Sequence, residues 1–137
     1  MGKIGVVLIS HSELIANGLR DLVNEMNDGS VPVIAAGGTG DGRIGTNANI
    51  IQEALESLED SCDHILIYAD LGSSLLSAAT AIDEISEENE ELADKIQVVD
   101  APIVEGALAG VVQACITDDV NEVIEVSMSV KDQHKEI

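Results

Sequence analysis

The sequence predicts an α/β domain, an open parallel β-sheet with helices on both faces. Short apolar runs rich in β-branched residues alternate with segments whose apolar residues recur at helical spacing. The run His64-Ile65-Leu66-Ile67-Tyr68-Ala69 is continuously apolar, as a strand covered on both sides must be. The chain is 45% hydrophobic with one Tyr and no Trp or Phe, so Ile, Leu, Val and Ala must build the core. Such side chains suit tightly packed helix-on-sheet layers, and right-handed crossovers leave few topologies. At 137 residues the expectation is one domain over residues 1–130, followed by a flexible tail over 131–137.

The elements follow in order. Ile4 to Ile9 reads as the first strand, and Ser12 to Met26 as an amphipathic helix that ends in the turn Asn27-Asp28-Gly29-Ser30. Val31 to Ala36 reads as a strand with Pro32 near its start, as an edge position allows. A glycine-rich loop, residues 37–45, leads to a helix capped by Thr46 or Asn47, with Ile50, Ile51, Ala54, Leu55 and Leu58 inward. After the third strand, His64 to Ala69, comes a helix expected to turn Leu75, Leu76, Ala79, Ile82 and Ile85 inward. The acidic stretch 87–91 reads as a loop or a frayed helix end. Ile96 to Val99 is the fourth strand, Ile103 to Cys115 the next helix, and Thr117 or Asp118 the cap of the last helix.

The formal net charge is −20, from 26 acidic and 6 basic residues. Phosphate backbones and anionic membranes repel such a chain, and its scattered lysines and arginines form no basic stripe. The lack of aromatics removes stacking platforms for single-stranded nucleic acid. No apolar run approaches the roughly 20 residues of a membrane span. Met1-Gly2-Lys3 runs straight into a strand, leaving no room for a signal peptide, so the reading is cytoplasmic with reduced thiols at Cys62 and Cys115.

In open parallel sheets, ligands bind at the carboxyl ends of the strands. Four strand ends deliver polar residues there: His11, the Gly38-Thr39 loop, Asp70 with Gly72-Ser73-Ser74, and Asp100. A histidine at that address can attack, carry a proton or bind a metal, and it can also merely cap a helix. A carboxylate at Asp70 can accept from one imidazole nitrogen and leave the other free to attack. Gly72-Ser73-Ser74 opens a helix, whose free amides and hydroxyls suit an anion. Gly40-Asp41-Gly42-Arg43-Ile44-Gly45 fits G-x-G-x-x-G, but it follows the second strand and three residues separate it from the strand end. A lid over the rim is the better reading. Arg43 within it is read as an exposed charge rather than a phosphoryl clamp. Cys62-Asp63-His64 lies at the other end of its strand and makes no metal site.

Five segments in order resemble one family: Val7-Leu8-Ile9-Ser10-His11-Ser12, Gly37-Gly38-Thr39, Ile44-Gly45-Thr46-Asn47, Asp70 through Ala78, and Ala101 through Ala109. They resemble the DhaM family, the phosphotransfer subunits of phosphoenolpyruvate-dependent dihydroxyacetone kinases. Its domain is similar to mannose-class enzyme IIA, and the resemblance extends to about Met128. It implies a flavodoxin-like sheet and a homodimer. His11 would be the phosphorylated residue and Asp70 the acid that hydrogen-bonds it. From the chemistry of the residues, the helix-start amides at Gly72, Ser73 and Ser74, with Gly38 and Thr39, are expected to supply donors to the phosphoryl oxygens. The donor would be the phosphocarrier HPr. The acceptor would be ADP on the partner subunit DhaL, which then phosphorylates dihydroxyacetone bound to DhaK. No cofactor is expected on this chain, since ADP and magnesium would sit on DhaL. HPr and enzyme I would be separate proteins. A mannose-family sugar transport component and a non-catalytic anion or flavin module are the alternatives, the latter disfavoured by the missing aromatics.

Overall fold

The computed structural model describes residues 3–136. Four parallel strands form one sheet in the order β2-β1-β3-β4: β1 is Ile4–Ser10, β2 Val33–Gly37, β3 His64–Ala69 and β4 Ile96–Val98. The helices are α1 (Glu13–Glu25), α2 (Ala48–Ser57), α3 (Gly72–Glu88), α4 (Glu90–Ala93), α5 (Ile103–Ala114) and α6 (Val120–Ser129). The expected open parallel α/β architecture is the observed one.

Alternation along the strands divides the core in two. Val7, Ile9, Ile65 and Ile67 pack beneath α2, α3 and α4, against Ile51, Leu55, Ala78, Ile85 and Leu92. Val6, Leu8, Leu66 and Tyr68 pack beneath α1, α5 and α6, against Leu19, Val23, Val111 and Val123. Tyr68, the sole aromatic residue, is buried, and its hydroxyl donates to Ser127 Oγ at 2.7 Å. The Ser127 hydroxyl in turn donates to the Val123 carbonyl at 2.7 Å. Gly110 is required there, because a Cβ on it would stand 2.1 Å from the Tyr68 oxygen.

Register decides which residues reach the rim together. Ile4 pairs with His64 and Ile9 with Ala69, so the next rung sets Asp70 beside Ser10. On the other side Ser10 pairs with Gly37. A Cβ at Gly37 would fall 2.6 Å from Ala16 Cβ and 2.8 Å from the Ser12 carbonyl. Glycine therefore lets β2 close against the start of α1.

Several elements depart from expectation. β2 starts at Val33 rather than Val31, although the Pro32 carbonyl still accepts from the Val6 amide at 2.9 Å. The cap of α6 is Asp119, whose side chain takes the Asn121 amide; Thr117 instead accepts from Asp119. Asn89 ends α3 and caps α4, so the acidic stretch 87–91 crosses a junction of two helices. The inward face of α3 is Ser74, Ala78, Ala81 and Ile85, while Leu75, Leu76 and Ala79 face solvent. The cause is steric: the small Ala78 and Ala81 bring the helix close to the sheet, and Ser74 is drawn inward by hydrogen bonds described below. Lys131 and Lys135, near the C-terminus, pair with Asp100 and Glu105 at 3.1 Å each. Ile137, the last residue of the expected tail, lies outside the described residues. No helix among the described residues is long and apolar enough to cross a membrane.

Candidate functional site

His11 follows β1 directly, and it does not cap the helix after it. Ser12 does so, its Oγ accepting from the Ile15 amide at 3.2 Å. The imidazole is left free for other partners and is 19% exposed. Its Nδ1 lies 3.0 Å from Asp70 Oδ1 and 3.0 Å from Ser74 Oγ. Its Nε2 faces Ser73 Oγ within hydrogen-bond distance.

Asp70 gathers donors on both oxygens. Oδ2 accepts from Ser10 Oγ at 2.8 Å and from the His11 amide at 3.1 Å. Oδ1 accepts from Ser74 Oγ at 2.6 Å and the Leu71 amide at 2.7 Å, besides the imidazole. Burial alone pushes this carboxyl up. The bonds from Ser74, His11 and Ser10 outweigh burial and hold it well below its ordinary 3.8. An ionised carboxylate can only accept, so the His11 proton resides on Nδ1 and Nε2 carries a lone pair. Ser73 then donates to Nε2.

The start of α3 stands open beside that lone pair. Its cap residue, Leu71, offers no side-chain bond. Ser74 is the first residue of the helix whose amide finds a backbone acceptor, Leu71, at 2.9 Å. Among the described residues no acceptor meets the amides of Gly72 and Ser73, which face solvent or a ligand at the positive end of a 17-residue helix.

The sequence-predicted residues divide accordingly. His11, Asp70, Gly72, Ser73 and Ser74 come together. Ser74 is buried and serves Asp70 and Nδ1, not the open side at Nε2. The Gly38 amide is bonded to the Ser10 carbonyl at 3.0 Å, and the Thr39 hydroxyl donates to Asp41. These two residues shape the loop against the end of β1. Asp100 does not join. The pairing of Ile67 with Val98 places it level with Ala69, one rung short of Asp70, and its side chain is 86% exposed.

The glycine-rich loop folds on itself. Arg43 pairs with Asp41 at 2.7 Å and is 79% exposed, as the exposed-charge reading expects. Arg43 and Thr39 together draw the Asp41 carboxyl down to about 2. The loop is tied to the site through the Gly45 amide, which donates to the His11 carbonyl at 2.8 Å. Asn47 takes the amides of Asn49 and Ile50 at the start of α2, so that helix end is closed to a pyrophosphate. Ser10, which stands next to His11 in the sequence, was not counted among the site residues. Its only signal was a polar side chain closing an otherwise apolar strand.

A half-buried carboxylate holds a rim histidine beside an open helix start, an arrangement suited to a histidine-based group-transfer domain. Comparison with known proteins names the family. Residues 5–124 match the EIIA-man family, described as the PTS system fructose IIA component. A phosphoryl donor subunit DhaM of a dihydroxyacetone kinase from Listeria innocua is 43% identical over 113 residues, covering 82% of this chain and 87% of that protein. The Escherichia coli DhaM is 38% identical, and the match covers 88% of this chain but 25% of that longer protein. Among solved structures, the unknown-function protein EF1359 superposes with a TM-score of 0.84 at 29% identity, covering 93% of this chain and 94% of that one. A phosphotransferase-system EIIA component from Streptococcus agalactiae shares the fold, with a TM-score of 0.61 at 17% identity, covering 96% of each chain. The chain belongs to the EIIA-man family of phosphotransferase-system components and, within it, to the DhaM phosphoryl donor subunits.

Proposed function

We propose that this chain is the phosphoryl donor subunit of a phosphoenolpyruvate-dependent dihydroxyacetone kinase and carries the phosphoryl group on Nε2 of His11. One observation carries the reading. Asp70 occupies Nδ1 and leaves Nε2 as a lone pair beside the uncapped amides of α3.

The chemistry follows from those atoms. The neutral imidazole attacks phosphorus through Nε2, and the bond from phosphorus to the incoming donor's imidazole nitrogen breaks in line. Positive charge grows on the His11 ring as the new bond forms, and the ionised Asp70 stabilises it through Nδ1–H. The equatorial oxygens meet the amides of Gly72 and Ser73 and the Ser73 hydroxyl, which leaves Nε2 as phosphorus arrives. Ser74 keeps Asp70 in place throughout. Gly38 and Thr39 form the wall on the β2 side.

The donor in this reading is phosphorylated HPr, and the acceptor is ADP with magnesium on DhaL, which serves dihydroxyacetone bound to DhaK. The chain itself holds no cofactor, acts in the cytoplasm and works as a homodimer. Two surface features support protein partners. Leu14, Ile44, Leu71 and Leu76 are 83%, 75%, 62% and 71% exposed, and all lie within a few residues of His11 contacts. The net charge of −20 favours partners with basic faces, chiefly through encounter rate.

Labelling from phosphoenolpyruvate, enzyme I and HPr tests the assignment. The wild-type chain takes up one acid-labile phosphoryl group, and His11→Ala takes up none; labelling of the Ala variant contradicts the proposal. Discharge onto dihydroxyacetone on adding DhaL–ADP and DhaK supports the kinase role. The fructose IIA description of the family keeps a sugar-transport reading open. Discharge onto a sugar-transport IIB protein instead would select it.

A further inference from the structure

Ser10 is fully buried at the end of β1, where the other six positions of the strand are Ile, Gly, Val or Leu. An apolar side chain would fill that end as well, and a buried hydroxyl is costly unless its bonding capacity is used. Here it is used in both directions. Ser10 Oγ accepts the Ser12 amide at 3.1 Å and lies 2.8 Å from Asp70 Oδ2. The amide proton already approaches the hydroxyl oxygen, and an ionised carboxylate has no proton to give. The Ser10 proton must therefore point at Oδ2.

The two oxygens of Asp70 are thus held from different sides. Oδ2 is gripped by Ser10 Oγ and the His11 amide, both from the end of β1. Oδ1 is gripped by Ser74 Oγ and the Leu71 amide, both from the β3–α3 junction, and it faces His11 Nδ1. Removing the Ser10 hydroxyl leaves Oδ2 with a single donor and lets the carboxylate turn about its Cβ–Cγ bond. The Ser12 amide loses its acceptor at the same time.

We infer that Ser10 is a positioning residue, which aligns Asp70 so that His11 keeps its proton on Nδ1 and presents a lone pair at Nε2. It touches neither the phosphoryl group nor its carrier nitrogen and acts through Asp70. The consequence for rate rests on the phosphoryl-transfer reading; the consequence for the imidazole does not.

Nitrogen-15 NMR of His11 in the unphosphorylated protein reads the tautomer directly, with His64 and His134 as internal references. The wild-type spectrum shows a protonated Nδ1 and an unprotonated Nε2. Ser10→Ala yields a mixture of tautomers. At saturating phosphorylated HPr its acceptance rate falls about tenfold while KM moves less than twofold, the size expected for losing a bond to a charged group. Ser10→Thr, which keeps the hydroxyl, restores the wild-type tautomer. Ser12→Ala, which removes only the helix cap, leaves it unchanged. Should Ser10→Ala fail to fold, the nearly isosteric and weakly donating Ser10→Cys is read in its place.

A pure Nδ1–H tautomer in Ser10→Ala would overturn the inference, and so would Ser10→Thr shifting as far as Ala does. Where the wild-type chain itself accepts no phosphoryl group, the relay reading fails, and the tautomer spectra still decide the role of Ser10.

Discussion

Asp70 and Asp100 follow neighbouring parallel strands and look alike in the sequence, each a carboxylate at a strand's carboxyl end. In the folded chain Asp70 is 15% exposed and Asp100 86%. Asp70 accepts from Ser10, Ser74, the imidazole and two amides, whereas the Asp100 side chain meets Lys131 at 3.1 Å. The strand-end address does not make a site. Register and neighbours do: one rung separates the two carboxylates, and only the Asp70 rung is flanked by Ser10 on one side and the first turn of α3 on the other.

The largest effect expected from this contrast is on transfer. Asp70→Asn keeps the shape but offers an amide where Nδ1–H needs an acceptor, and it should slow acceptance from phosphorylated HPr roughly a hundredfold. A rate within twofold of wild type would remove Asp70 from the mechanism.

Stability against acid distinguishes the pair next. The folded Asp70 carboxyl is held below its ordinary value of 3.8, so the unfolded chain takes up that proton first as pH falls. The stabilisation is in full force above about pH 4 and is lost as pH drops through and below that range. The gap in urea midpoint between wild type and Asp70→Asn should therefore be widest near neutrality and shrink on acidification. A gap independent of pH would contradict the hydrogen-bond account of Asp70.

The smallest effects belong to Asp100. Exposed ion pairs contribute little, so Asp100→Asn and Lys131→Ala should change neither transfer rate nor urea midpoint measurably. A tenfold loss of rate in either would bring the end of β4 into the site.

The same contrast marks how far the site was legible from sequence. His11, Asp70 and Ser73 were readable because apolar runs place strand ends and polar residues there stand out. The inward face of α3 was not, since apolarity ranks Leu75 and Leu76 above Ser74 and Ala78. The fold inverts that ranking, because Ser74 has bonding partners beneath it and small residues permit close approach. Ser10 stood beside His11 in the sequence but carried no nucleophile signature of the G-x-S-x-G kind, so it was not counted in the site. Only the rung it shares with Asp70 reveals its task. Asp100 was included because register across β3 and β4 cannot be read from either strand alone.

The central claim is that Nε2 of His11 is the carrier atom because Asp70 occupies Nδ1. Phosphorus-31 and nitrogen-15 NMR of the protein phosphorylated by HPr test it most directly. The account predicts a single phosphohistidine at His11 with phosphorus on Nε2 and a proton retained on Nδ1. Phosphorus on Nδ1, or on any residue other than His11, would contradict it.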